Sequence, residues 1–359
     1  MGLLVDMVGS REDPHAQARA ARQQPLLLHS MSAFREMFAI LFAHRDIKTV
    51  VEVGVESGQV SSLYTDLGAS KVYCVDPFPS DALRATLAPN PGLELVEEFS
   101  PEVLAKLPPA ELYVLDGDHN YAVLHGELTW LLKNTPDAVI ALHDVLWPWS
   151  RRDLYYEPSR LTGDDKHPTS EDGPTISHDD LTPAGFVGLG SFTVAVEAGG
   201  ERNGVLTAIE DAVAEAADEW QFVIVPAVFG MGVLVRKGAP GAKKVLDALK
   251  PYTSSELLAM LENNRVALYT RVLELQYEAV AHANDADRLA ESVASQRHEI
   301  ARLRAEVDKL RAEADGLRDA NQRLEQELRD PLSVREPSIG AAINHLGRAT
   351  SARLRKAKR

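Results

Sequence analysis

The 359-residue sequence has one cysteine, Cys74, so it cannot close an intramolecular disulfide or build a thiolate zinc cage. That points to a reducing compartment, and the expectation is a cytoplasmic protein. Aromatic residues are scarce at 6%, yet 45% of the chain is hydrophobic and 25% charged, enough to bury at least one full-sized core. Collagen-like, disordered and mini-protein classes are excluded. Long hydrophobic runs are also missing. The start, MGLLVDMVGSRED, has no basic flank, and the apolar run 37–43 is far shorter than the roughly 20 residues that span a bilayer. Neither export nor a transmembrane helix is predicted.

Basic residues are outnumbered, 38 Lys and Arg against 53 Asp and Glu, for a net charge of −15. Their placement is uneven. Residues 335–359 hold seven Lys or Arg and one acid, Glu336, while residues 288–330 are nearly balanced, so the acidic excess lies in the first 287 residues. An acidic body disfavours a nucleic-acid groove, because phosphate binding requires clustered cations. Only the tail, 331–359, could seek a polyanion such as an anionic membrane surface or an acidic glycan; with Ile343, Leu346 and Leu354 as its few apolar residues, any insertion would be shallow. A solvated tail is the plain alternative.

Along the chain, residues 1–46 read as a polar segment followed by an apolar helix over 32–44. Strand-like runs then alternate with helix-like ones: 49–55 (TVVEVGV), 71–75 (KVYCV), 93–96, 112–115 (LYVL) and 138–142 (AVIAL). This βαβ rhythm predicts a doubly wound α/β domain with a parallel sheet covered on both faces. Residues 147–190 are rich in Trp, Tyr, Pro and Asp, too polar and punctuated for core, and read as a lid loop. A helix over 204–220 follows, then QFVIVPAV and GVLVRK, whose short connection forces an antiparallel hairpin.

Strand one runs into Glu52-Val-Gly54-Val-Glu56-Ser57-Gly58, where glycines permit a tight turn and close approach to a ligand at a helix N-terminus. The G-x-G-x-x-G of dinucleotide folds is missing. Strand two ends in Asp76, where a carboxylate can accept from both ribose hydroxyls of a nucleoside. Either feature alone reads as a strand-end turn or a surface acid; together they favour an adenosine ligand. Strand four ends in Asp116-Gly117-Asp118-His119-Asn120-Tyr121 and strand five in His143-Asp144. The carboxyl ends of neighbouring strands face one crevice, so these side chains can converge as an acid–base or metal constellation. Plain alternatives are that Asp118 caps the next helix, the favoured role for it, and that His143 packs beneath.

These motifs, over residues 47–240, resemble the class I S-adenosylmethionine-dependent methyltransferases: EVGVESG after strand one, the acidic end of VYCVDP, and the FVIVPAVFGMGVLVRK hairpin. The resemblance implies a Rossmann-like seven-stranded sheet with an antiparallel last strand. It implies that Glu52, Gly54 and Gly58 hold the methionine moiety, Asp76 the ribose, and Ser100 the adenine. The LDGDHNY and LHDV pair resembles the metal-assisted O-methyltransferases of the macrocin and novobiocin type and the cephalosporin hydroxylase-like group, and more distantly catechol O-methyltransferase. That implies a divalent ion, Mg²⁺ or Mn²⁺, on Asp116, His143 and Asp144, with His119 as general base beside Asp116. His143 departs from the family, which more often has an acid there, and oxygen-loving Mg²⁺ would prefer the acid. A helix-terminal His119 bonded to a backbone carbonyl is its structural alternative.

The expected acceptor is a hydroxyl of a sugar, glycan or glycosylated small molecule, because Trp147, Trp149, Arg151, Arg152, Tyr155 and Tyr156 combine flat faces with hydrogen-bond donors. The same composition would suit a subunit interface. The turn 199–204 (GGERNG) is a second candidate lining segment. Rival functions are a nucleotide-cofactor oxidoreductase or hydroxylase on the same fold, and a non-catalytic coiled-coil scaffold.

Beyond the hairpin, 241–286 reads as a helical connector and 287–330 as a heptad repeat. Positions a are Val293, Ile300, Val307, Ala314, Asn321 and Leu328; positions d are Leu289, Gln296, Leu303, Leu310, Leu317 and Leu324. Branched residues at a with Leu at d favour two parallel strands, and Asn at a fixes register. Glu299, Glu306 and Glu313 at g would meet Arg304, Arg311 and Arg318 at e of the partner, whereas antiparallel pairing would oppose like charges. A parallel homodimer with a seam of roughly 60 Å is predicted.

Overall fold

The computed structural model describes residues 11, 13, 15–23, 31–329, 340, 343 and 344. All but three residues of the basic tail and most of the first 30 residues lie outside that set. The chain divides into two units, Met1–Ala279 and Val280–Arg359.

The first unit is built on a seven-stranded sheet. In chain order come α1 (Ala16–Gln23), α2 (Arg35–His44), β1 (Thr49–Val53), α3 (Ser61–Leu67), β2 (Lys71–Val75), α4 (Asp81–Leu87), β3 (Leu93–Val96), β4 (Leu112–Leu115), α5 (Tyr121–Asn134) and β5 (Val139–Leu142). Next are β6 (Leu154–Tyr156), β7 (Thr169–Ser170), β8 (Phe192–Ala195), α6 (Val205–Glu215), β9 (Trp220–Val225), β10 (Met231–Arg236), α7 (Ala242–Thr253) and α8 (Glu256–Arg329). The strand order is β3-β2-β1-β4-β5-β10-β9. Strands β3 to β5 pair in parallel, and β10 runs antiparallel between β5 and β9. This is the Rossmann-like arrangement, with its antiparallel last strand, that the sequence implied.

Alternation along each strand sends side chains to opposite faces. Val50, Val72, Leu112, Val139 and Val233 pack with Phe38, Leu41, Val245 and Leu249 on one side. Val51, Val75, Tyr113, Ile140 and Leu234 pack with Leu124, Leu128, Leu131 and Ile209 on the other. Both faces are covered, so the central strands read as continuous apolar runs. Among the described residues no helix is long and apolar enough to cross a membrane.

Residues 147–190 differ from the expected lid loop. β6 and β7 pair with β8 in a three-stranded antiparallel sheet, and Trp149, Leu154 and Tyr155 are buried. The cause is a polar anchor. Buried Asp153 accepts from the amides of Tyr121 (2.8 Å) and Gly204 (2.6 Å) and from the Tyr155 hydroxyl (2.8 Å), tying the segment to α5 and α6. A carboxylate fixed by three donors holds apolar neighbours in place despite the polar composition around them.

Candidate active site

The strand tips of β1, β2, β4 and β5 open into one cavity of about 900 Å³, near the upper end of what single-ligand pockets occupy. Gly54 and Asp76 line its β1–β2 side. Gly54 has φ +84°, and a Cβ there would lie 2.2 Å from the Asp116 carbonyl oxygen, so only glycine lets β1 turn beside β4. Gly58, also left-handed at φ +73°, stands just outside the lining. Asp76 accepts from the amides of Phe78 (2.9 Å) and Glu56 (3.3 Å), which fixes its carboxylate at the β2 tip. Glu52 lines the cavity but is buried and accepts from the Ser61 hydroxyl; burial pushes its carboxyl up to about 8, making it an uncharged floor group at neutral pH.

At the β4 and β5 tips, Asp116, His119, His143 and Asp144 do converge. His119 Nε2 lies 3.4 Å from Asp144 Oδ2 and 3.9 Å from Asp116 Oδ1. His143 Nδ1 faces Asp116 Oδ1 at 3.0 Å, and its Nε2 meets the Val228 carbonyl oxygen at 2.9 Å. Burial opposes charging of His143, but the Asp116 and Asp144 carboxylates outweigh it and push the ring up to about 9. The protonated ring therefore donates from both nitrogens. Asp144 is held at φ +57°, and its Oδ1 is buried without a hydrogen-bond partner. His119's ring is directed at carboxylates, not at the backbone carbonyl of its structural alternative.

The expected metal site does not fit this arrangement. A ligating imidazole must offer a lone pair, whereas His143 spends one ring nitrogen on a carbonyl and the other on Asp116. Among the described residues no group of three or more His, Cys, Asp or Glu is gathered to hold an ion. Asp116 is held by His143 instead, while Asp144 Oδ1 stays without a hydrogen-bond partner.

Asp118 does not cap α5 as expected; Asn120 does, accepting from the Val123 amide at 3.0 Å. Asp118 instead lines the cavity, and burial raises its carboxyl despite the opposing Arg160. Beside it are Ser100 and Glu127, whose Oγ and Oε1 are buried without partners. Burial pushes Glu127 up to about 8. Sequence reasoning missed Glu127, together with Phe78, Phe99, Arg160 and Phe229, which also line the cavity. The available signal was an acid among the apolar positions of α5, three residues past Leu124 and one before Leu128. Arg160 sits 4.6 Å from the centre of the Phe99 ring and donates to the Ser100 carbonyl, closing this end.

Of the expected substrate residues, Trp149, Tyr155 and Tyr156 line the cavity. Trp147, Arg151 and Arg152 are outside its lining. Arg151 pairs with Glu210 on α6 (2.7 Å), and Arg152 donates to the carbonyls of Ala195 and Val196, so each guanidinium is consumed by the scaffold. The 199–204 turn also stands apart, because its Asn203 receives the Asp153 amide and closes back on the Glu197 and Gly199 carbonyls.

Residues 51–145 match the family model described as a methyltransferase domain. No curated protein matches the chain significantly. The solved structures similar to this chain at low identity include the following three. A Podospora anserina methyltransferase bound to SAH shares 15% identity, covering 61% of this chain and 85% of its own, with a TM-score of 0.37. The O-methyltransferase TomG from Streptomyces achromogenes, involved in tomaymycin synthesis and bound to SAM, shares 13%, covering 62% and 87%, at 0.37. An O-methyltransferase from Bacillus cereus bound to SAH shares 14%, covering 62% and 88%, at 0.36.

Proposed function

We propose that the chain is a class I, S-adenosylmethionine-dependent enzyme that methylates a hydroxyl of a sugar or glycosylated small molecule, with His119 as general base; the match of residues 51–145 to a methyltransferase domain and the seven-stranded sheet support the reading. The observation that carries the reading is the position of His119 Nε2 between Asp116 and Asp144, in the same cavity as Gly54 and Asp76.

S-adenosylmethionine, when bound, supplies an already electrophilic methyl. The protein's part is to align an acceptor oxygen with that methyl and take its proton. Gly54 gives backbone clearance at the β1 tip, and Asp76 keeps lone pairs for a ribose after accepting its two amides. Ser100 and Glu127 bring unpartnered polar atoms to the Phe99 end, where a purine edge would satisfy them. On the acceptor side, Trp149, Tyr155 and Tyr156 offer flat faces, and Glu157 and Ser159 supply polar groups. The acceptor proton passes to His119 Nε2, and the resulting N–H faces two carboxylates that balance its charge. Imidazolium His143 holds Asp116 in place from behind. No step passes through a metal.

The test is transfer of labelled methyl to a panel of nucleotide sugars, glycosides and simple phenols. His119→Ala should lower turnover by roughly 10²–10⁴-fold while cofactor affinity, read by calorimetry, is retained. Undiminished turnover would move the base role elsewhere, and methylation of phenols alone would replace the sugar assignment.

A further inference from the structure

The first turns of α8 within the unit Met1–Ala279 are apolar on more than one face. Glu262, Val266 and Thr270 are buried, and Glu262 accepts from the amides of Val228 (2.8 Å) and Phe229 (2.7 Å), so this face is committed to the β9–β10 connection. Leu268, Val272 and Leu275 point elsewhere and are 61%, 47% and 47% exposed. A helix apolar beyond one stripe is normally covered on both sides. These residues also share a register with the repeat further along the chain. Counting back by sevens from Val293 puts Val272, Ala279 and Ala286 at a, and from Leu289 puts Leu268, Leu275 and the polar His282 at d. In the unit Val280–Arg359 the seam residues Leu289, Ile300, Leu303, Leu310, Leu317 and Leu324 are likewise exposed.

We propose that a second copy of this chain covers this stripe as a parallel, in-register coiled coil that begins at Leu268, inside the methyltransferase unit, and not at Leu289. Charge complementarity selects the occupant. Glu299, Glu306 and Glu313 precede Arg304, Arg311 and Arg318 by five residues, the g-to-e′ offset of two parallel identical helices. An antiparallel copy would set Glu against Glu. Gln296 and Asn321 interrupt the apolar seam and penalise slipped registers, which would bury them against Leu. The seam thus starts on the helix whose Glu262 fixes Val228, the residue whose carbonyl accepts from His143, so pairing braces the back of the catalytic cluster.

Cysteine scanning tests the proposal on the full chain, because the only native cysteine, Cys74, is buried. In a parallel in-register pair every seam residue faces its own copy. Leu310→Cys and Val272→Cys should each give a disulfide-linked dimer under mild oxidation, and light scattering of the unmodified chain should report twice the 39.3 kDa chain mass. The double variant Leu303→Lys, Leu310→Lys should halve that mass. A monomeric native chain, or a Lys variant that keeps the doubled mass, would overturn the proposal. Cross-linking at 310 but not at 272 would refute the extension to Leu268, and cross-linking at neither with a doubled mass would refute the parallel register.

Discussion

In the unit Met1–Ala279 every apolar side chain of β1, β4 and β5 is buried, whereas in Val280–Arg359 each Leu, Ile and Val of the heptad seam is at least 37% exposed. Both follow from patterning, but of different periods. An alternating strand sends neighbours to two faces that helices of the same chain cover, so its hydrophobic residues are satisfied internally. A 3.5-residue stripe on one helix has no counterpart within the same helix and is satisfied only by another. One unit explains itself by what it encloses, the other by what it leaves uncovered.

The contrast can be broken from the enclosed side most severely at Gly54. Gly54→Ala should abolish cofactor binding and lower unfolding stability by about 1–3 kcal/mol, since its Cβ would meet the Asp116 carbonyl oxygen at 2.2 Å; calorimetry and urea denaturation check both. A smaller effect is expected at Asp76, where Ala should weaken the cofactor by roughly 10–100-fold and leave the urea midpoint nearly unchanged. Equal affinity would remove the ribose assignment.

Enclosure should also have a pH signature that the exposed helix lacks. Glu52 and Glu127 are pushed from 4.5 up to about 8, and His143 from 6.5 up to about 9. All three bind protons more tightly folded than unfolded, so their stabilising contribution is full below the unfolded values and is lost as pH rises through the folded ones. The first unit's melting temperature should therefore fall from pH 6 to pH 9, and Glu127→Gln, permanently neutral, should make that fall shallower. A flat profile would show that these groups are solvated. The smallest effect is expected from chelation: because both His143 nitrogens are engaged, EDTA should leave turnover unchanged. Activity lost to EDTA and restored by Mn²⁺ would return Asp116, His143 and Asp144 to the ligand role implied by family resemblance.

Much of the sheet was legible because its strands are short, β-branched runs bounded by turn residues: β2, β3 and β4 have the expected limits, and β1 ends two residues earlier, where Gly54 turns. The convergence of Asp116, His119, His143 and Asp144 was legible for the same reason, since adjacent parallel strands share one tip. The ordered part of 147–190 was not. Composition marked it as polar loop, but Asp153 gathers donors from Tyr121, Gly204 and Tyr155, positions far apart in sequence or hidden in a turn. Arg151 and Arg152 looked free for a substrate because nothing local shows that Glu210 and the β8 carbonyl groups claim them.

Patterns local in the chain were enough to set the doubly wound sheet, through its alternation of strands and helices, the antiparallel final strand, through the short connection before it, and the heptad stripe, through side-chain spacing along one helix. Only the tertiary structure decided that His143 is saturated by Asp116 and Val228, that Asn120 and not Asp118 caps α5, and that Glu127 reaches the cavity. Those outcomes depend on which groups meet across elements distant in the chain. A buried polar atom takes the partner that packing brings to it, and spacing along one strand or helix carries no record of that partner.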